Sequence, residues 1–287
     1  MSLLEVRGLT VARSGRAVLD RVDLDLEPGG LLAVVGVNGS GRTTLLEALA
    51  GLIPLASGTI RLAGTDLGGT APHRRARAGL GLVGKNRPVV PSLNVEENLA
   101  LARFGAAQPR PWDWVEATFP ALTARRGVAA GLLSGGEQQM LALAMGMVCR
   151  PQVLMLDEPA WGLAPAAADA LHEALIRLRQ EGQALLVAGH NPVRLVELGA
   201  TVVVLEGGGI RPQPPGPASG ADGAFGPGTA STEDSVIEPT SAEVTELVSL
   251  TLPVALKRRL QVRARERGVT PSELVAEAMR ALLLGDR

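Results

Sequence analysis

The chain has no Tyr, and Phe and Trp together make up only 2% of its 287 residues. It is also nearly without lysine: of 28 Lys and Arg residues, only Lys85 and Lys257 are lysines. A single Cys, Cys149, cannot close an internal disulfide, which points to a reducing compartment. The longest apolar runs, such as Leu31 to Val37, are strand-length and well short of a membrane span. No basic stretch followed by an apolar one opens the chain, so no signal peptide is expected. A net charge of -1 gives no global bias toward nucleic acid, though a local basic patch is compatible with it. What is present is apolar: hydrophobic residues make up 46% of the chain, too many for a disordered protein. The length suits one large domain with an ample core plus a small second one.

The residues up to 211 alternate strand-like apolar runs with amphipathic segments. The runs Leu31 to Val35, Leu80 to Val83, Val153 to Leu156, Ala184 to Val187 and Val202 to Leu205 are apolar throughout, as in a parallel sheet covered on both faces. Leu3 to Val11 and Val18 to Leu26 instead alternate apolar and polar, which predicts half-buried antiparallel strands. From Arg211 to about Thr240, Pro, Gly, Ala, Ser and Thr dominate, which predicts a flexible linker over 212–240. Pattern returns in 241–287. Leu247 to Leu252 alternates like a short strand, and Pro253 suits a first helical position. Gly268 is a stop, and Thr270-Pro271-Ser272-Glu273 is a capping box opening a second helix.

Gly36-Val37-Asn38-Gly39-Ser40-Gly41-Arg42-Thr43-Thr44 follows one of the apolar runs and precedes a helical one. Glycines let successive backbone N–H groups curl around phosphate oxygens, and a helix N-terminus adds partial positive charge. The Thr43 hydroxyl can ligate Mg²⁺. This is the pattern of a P-loop with Arg42 where a lysine is expected; the plainer alternative is a Gly-rich strand-to-helix turn. Arg42 keeps the charge but not the shape, since a guanidinium is wide and planar where an ammonium is compact. Either the general preference for Arg put it there, or the site is suited to bind nucleotide and hydrolyse it slowly.

Leu133-Ser134-Gly135-Gly136-Glu137-Gln138-Gln139 opens another helix with a hydroxyl and glycine amides suited to a phosphate. The run Val153 to Leu156 ends in Asp157 and Glu158, placing two carboxylates at the sheet edge where α/β proteins bind ligands. Asp157 suits Mg²⁺ through water. Glu158 suits orienting or deprotonating a water aimed at a terminal phosphate. Two adjacent acids alone are more often a solvated strand end. His190 follows the next apolar run; a lone His is usually structural, and this one gains weight from its position.

With these motifs in this order, residues 3–211 resemble an ABC transporter ATPase. The phrases Val95-Glu96-Glu97-Asn98-Leu99, Phe119-Pro120-Ala121-Leu122, Gly135 to Ala142 and Gly162-Leu163-Ala164-Pro165 are similar to the ATPases of branched-chain amino acid and urea importers. The resemblance implies an α/β P-loop NTPase fold, with an antiparallel β subdomain and a helical insert near 95–150. It implies MgATP held by Gly36, Asn38, Gly39, Ser40, Gly41, Arg42, Thr43 and Thr44, with Mg²⁺ at Thr43 and Asp157. It further implies hydrolysis through Glu158, with His190 sensing the γ-phosphate. The partners it implies are membrane permease subunits and a second ABC ATPase, a copy or a paralogue, whose nucleotide Ser134, Gly135, Gly136 and Glu137 would contact in trans. Such a chain would be cytoplasmic, peripheral at the inner face of the membrane. Three positions depart from the family. Arg13 stands where an aromatic stacks on adenine, and a guanidinium can also stack on a ring. Lys85 stands where an oxygen ligand is common, and an ammonium cannot ligate Mg²⁺. Met145 replaces an Arg. These changes predict impaired or retuned hydrolysis.

Residues 244–284 resemble a ribbon-helix-helix domain, a fold whose single strand must pair with its twin, so a homodimer through this module is expected. Ser249 and Thr251 would face outward toward DNA, and Thr270 and Ser272 would open a helix at a DNA phosphate. Residues 257–267 carry six cations against one acid, a local +5. DNA binding and dimerisation without DNA both fit, and apolar Leu247 at an outward strand position favours the second.

Overall fold

The computed structural model describes residues 2–13, 15–85, 88–104, 106–190 and 192–212, together with Arg263 and Arg267. The ribbon-helix-helix candidates Ser249, Thr251, Thr270 and Ser272, and the linker beyond Pro212, lie outside the described residues.

The two alternating stretches form β1 (Leu4–Arg13) and β2 (Arg16–Leu26), paired antiparallel. With β4 (Ser57–Leu62) and β5 (Thr65–Asp66) they make a four-stranded antiparallel sheet in the order β2-β1-β4-β5. Their apolar residues face one side: Leu4 and Val6 of β1 are fully buried at a period of two, and a register shift between Val6 and Leu9 brings Leu9 and Val11 back to the same buried face.

The apolar runs form the second sheet: β3 (Leu31–Val35), β6 (Leu80–Val83), β7 (Val153–Asp157), β8 (Ala184–Gly189), β9 (Thr201–Glu206) and β10 (Gly209–Pro212). Its order is β10-β9-β3-β8-β7-β6, parallel except for β10. β10 includes Pro212, one residue past the boundary drawn from composition.

Central strands must bury both faces, and β7 shows how. Val153 and Met155 join one core with β1, β4 and α1 (Arg42–Ala50), while Leu154 and Leu156 join the other. That second core is covered by α3 (Val95–Phe104), α4 (Trp112–Thr118), α5 (Pro120–Thr123), α6 (Gly135–Val148) and α7 (Pro165–Gln180). The helical insert expected near 95–150 is thus α3 to α6. Met145, where the family carries Arg, is a 9%-exposed core residue of α6, so an apolar side chain fits there.

Three buried polar side chains tie these layers together. Arg75, on α2 (Pro72–Ala78), donates to the carbonyls of Ala48 and Leu49, capping the free C-terminal carbonyls of α1. Asn98 accepts from Val90 N and donates to the carbonyls of Val90, Leu93 and Asn94, which fixes the loop entering α3. Arg110 pairs with Glu181 at 2.8 Å and lies 4.8 Å from the Trp114 ring centre, which joins the helical insert to the end of α7. Burial raises the Glu181 carboxyl, but the Trp114 indole and Arg110 outweigh it and hold it below its ordinary range.

Candidate functional site

Strand register brings the site together. β3, β8 and β7 are neighbours, with Val35 beside Gly189 and Ala188 beside Asp157. β6 lies next to β7, with Val83 beside Leu156. The segments leaving these strands therefore emerge at one sheet edge: the phosphate loop, Asp157-Glu158, His190 and Lys85.

The phosphate loop turns tightly. A Cβ on Gly36 would lie 2.5 Å from the Leu205 carbonyl oxygen and 2.6 Å from Ser40 Oγ, so only glycine fits. Gly41 caps α1 in the left-handed region at φ 104, and no side chain accepts from the first amides of α1. Those amides remain directed toward the loop's interior, where an anion fits. Ser40 Oγ is buried without a hydrogen-bond partner. A phosphate oxygen would give it one.

Arg42 is 5% exposed and Glu158 is 8% exposed. Arg42 Nη2 donates to Glu158 Oε1 at 2.5 Å, and Nη1 donates to the Val37 carbonyl at 3.1 Å. His190 Nδ1 lies 2.6 Å from the same Glu158 oxygen, and its Nε2 lies 2.5 Å from Asn38 Oδ1. Thus one carboxylate oxygen holds both a guanidinium and an imidazole. The sequence placed Arg42 under a phosphate; the structure turns it across the site onto Glu158. A lysine's ammonium carries three donors on one nitrogen and lacks the planar two-nitrogen fork with which Arg42 holds Val37 and Glu158. Glu158 itself has a positive φ of 50, and its N–H donates to Ala188 O at 2.9 Å. The backbone strain of a non-glycine residue in this region is held by that strand contact and by the side-chain cluster.

Asp157 is 2% exposed, and neither of its carboxylate oxygens has a hydrogen-bond partner. Burial pushes its carboxyl up. The nearby Thr43 hydroxyl opposes the rise without completing a hydrogen bond of normal geometry, and Lys85 opposes it through space. A buried carboxylate without partners, beside a hydroxyl, is a donor set for a hard cation. The residues present therefore fit Mg²⁺ bound together with a polyphosphate.

The remaining expected residues lie around this cluster. Arg13, half exposed, pairs with Glu47 of α1 at 2.7 Å and so sits beside the phosphate-loop helix. Lys85 is exposed just beyond β6. Ser134 and Glu137 form a capping box at the start of α6, Glu137 also pairs with Arg125, and no described hydrogen bond links them to the phosphate loop. Sequence reasoning missed Trp161. Its ring stacks on His190, with centroids 5.9 Å apart and planes at 25°. A tryptophan in a chain so short of aromatics, three residues after Glu158, was the available signal.

A glycine loop between strand and helix, an acidic strand end and a facing histidine define a P-loop nucleotide-binding domain. Residues 19–161 match the ABC transporter family. The chain is 36% identical over 195 residues to the branched-chain amino acid transport ATP-binding protein BraG of Pseudomonas aeruginosa, covering 67% of this chain and 84% of that one. It is 36% identical over 197 residues to the probable branched-chain amino acid transport ATP-binding protein LivF of Archaeoglobus fulgidus, with the same two coverages, 67% and 84%. A Streptomyces avermitilis Fe(3+) import ATP-binding protein is 38% identical over 215 residues, which span 61% of its length. Among solved structures, an ATP-binding subunit of an ABC transporter superposes with a TM-score of 0.65 at 25% identity, covering 73% of this chain and 88% of that one. A nucleotide-free ATP-binding cassette superposes at 0.63, with 21% identity and coverages of 74% and 92%. The chain belongs to the ABC transporter ATP-binding proteins and is an ABC-type ATPase.

Proposed function

We propose that this chain is the ATP-binding subunit of an importer similar to those for branched-chain amino acids, coupling MgATP binding and slow hydrolysis to transport by separate permease subunits. Among the described residues no helix is long and apolar enough to cross a membrane, so the pathway for solute would come from those partners. The ATPase would act peripherally at the inner face of the membrane. The observation that carries the reading is the buried Arg42–Glu158 pair, joined by the more exposed His190, at the mouth of the phosphate loop beside the unpartnered Asp157 carboxylate.

In this reading the loop amides from Gly36, Asn38, Gly39, Ser40 and Gly41 hold the phosphates, and Thr43 and Thr44 continue that cradle into α1. Arg13 stacks on the base. Thr43 and Asp157 hold Mg²⁺, which supplies charge neutralisation on the phosphate oxygens when bound. Glu158 takes a proton from water as the water oxygen bonds to the γ-phosphorus and the bond to the bridging oxygen breaks. His190 contacts the γ-phosphate. A second ATPase, a copy or a paralogue, contributes Ser134, Gly135, Gly136 and Glu137 to close the site. The cost lies in Arg42: its guanidinium occupies the Glu158 oxygen that would accept from water, so productive binding must draw Arg42 toward phosphate. Lys85 adds a cation where the site needs an oxygen ligand.

Co-reconstituted with branched-chain importer permease subunits in vesicles, the chain is expected to support MgATP-dependent uptake. Uptake equal with and without the chain would overturn the transport reading. The second reading rests on the +5 segment at residues 257–267: an ATP-regulated protein whose ribbon-helix-helix ends dimerise and contact DNA through Ser249, Thr251, Thr270 and Ser272. A gel shift at low salt that appears only with the full chain would favour it.

A further inference from the structure

Trp161, stacked on His190 at the rim of the site, has no place in the chemistry above. Trp161 is 72% exposed, although burial of so large a ring is ordinarily favourable. Its placement is built by the chain: Trp161 N–H donates to Glu158 O at 2.9 Å, closing a turn through Pro159 and Ala160. That turn starts at the strained Glu158, whose left-handed backbone bends the segment back over the sheet edge. The indole thereby lies on the face of His190, its ring partner among the described residues.

His190 needs such support. Its side chain is 39% exposed, so packing alone leaves the ring free to turn. The torsion that swings an imidazole is broad, with no steep staggered wells. Yet both nitrogens are committed in opposite directions, Nδ1 toward Glu158 and Nε2 toward Asn38. A contact on the ring face restricts the plane while leaving the nitrogen edges to Glu158, Asn38 and the Arg42 guanidinium, whose Nη2 lies 3.2 Å from Nδ1 and 3.4 Å from Nε2.

We propose that Trp161 is a positioning residue for His190, holding the imidazole plane so that one nitrogen addresses Glu158 while the other faces the phosphate loop. The proposal rests on the hydrolytic role given to His190 above. It is tested in the full chain with Trp161→Ala, Trp161→Phe and His190→Ala, alone and combined. Trp161→Ala is expected to lower MgATP turnover about fivefold with KM nearly unchanged, and Trp161→Phe to restore most of it. In the His190→Ala background, Trp161→Ala is expected to have no further effect. An unchanged turnover, or the same loss with and without His190, overturns the proposal. A second readout is independent of turnover: Trp161 emission, taken as wild type minus Trp161→Phe, should brighten when His190→Ala removes the stacked imidazole. If the wild type binds MgATP but never hydrolyses it, the hydrolytic reading fails, and emission decides the pairing. Brightening then upholds the contact, and unchanged emission overturns it.

Discussion

Replacing Arg42 with lysine is expected to raise MgATP turnover by about tenfold, because it frees Glu158, the proposed general base, from the guanidinium that now occupies its oxygen. The guanidinium reaches Glu158 and the Val37 carbonyl at once, clasping the loop to the base through two nitrogens. An ammonium offers its three donors from one nitrogen, without the fixed fork that spans the two acceptors. Glu158 would keep His190 as its neighbour, so the carboxylate is not left isolated. Stability should fall modestly, since a buried ion pair is replaced by one of weaker geometry rather than broken outright. Steady-state phosphate release alongside thermal melting separates the two effects. An unchanged rate in Arg42→Lys would mean that the guanidinium already leaves Glu158 when nucleotide binds, and that Arg reflects only the chain's general preference over Lys.

Gly36→Ala is expected to weaken MgATP binding by at least about a hundredfold, the equivalent of a few hydrogen bonds to charged phosphate. The added methyl would meet the Leu205 carbonyl oxygen at 2.5 Å and Ser40 Oγ at 2.6 Å. A serine side chain can rotate; a strand carbonyl cannot. The loop must therefore shift away from β9, taking its amides out of register with a phosphate. A fluorescent nucleotide titration reads this directly. Retained affinity would show that the loop tolerates displacement and that its backbone amides are not the main source of binding.

The two sheets were legible because their burial differs. Val18 to Leu26 alternates since one face of β2 is solvated, whereas Val153 to Leu156 is apolar throughout since β7 is covered on both sides. The residues around the phosphate loop were legible for a similar reason: glycine spacing and helix start are local properties. What the sequence did not disclose was pairing at long range. Arg42 and Glu158 are separated by 116 positions, and no local rule says that a guanidinium in the phosphate loop reaches that carboxylate. Arg75 capping the end of α1, and Asn98 fixing the turn before α3, are equally invisible, because each satisfies backbone groups whose need arises only after the elements pack. Trp161 carries no motif of its own, and its place follows only from the turn after Glu158 that brings it to His190.

The scarcity of lysine gains a specific meaning here. In most of the chain an arginine serves as a solvated cation, as Arg7 does in its half-exposed pair with Asp25. At position 42 the same choice builds a buried ion pair with Glu158, the proposed general base.

The central claim is that this ABC-type ATPase hydrolyses ATP slowly and through Glu158. The most direct test is phosphate release by the purified full chain with saturating MgATP, beside a Glu158→Gln variant that binds the nucleotide. Slow release in the wild type that falls by about a hundredfold or more in Glu158→Gln is the predicted result. Equal rates in the two proteins, or no binding of MgATP by either, would contradict it.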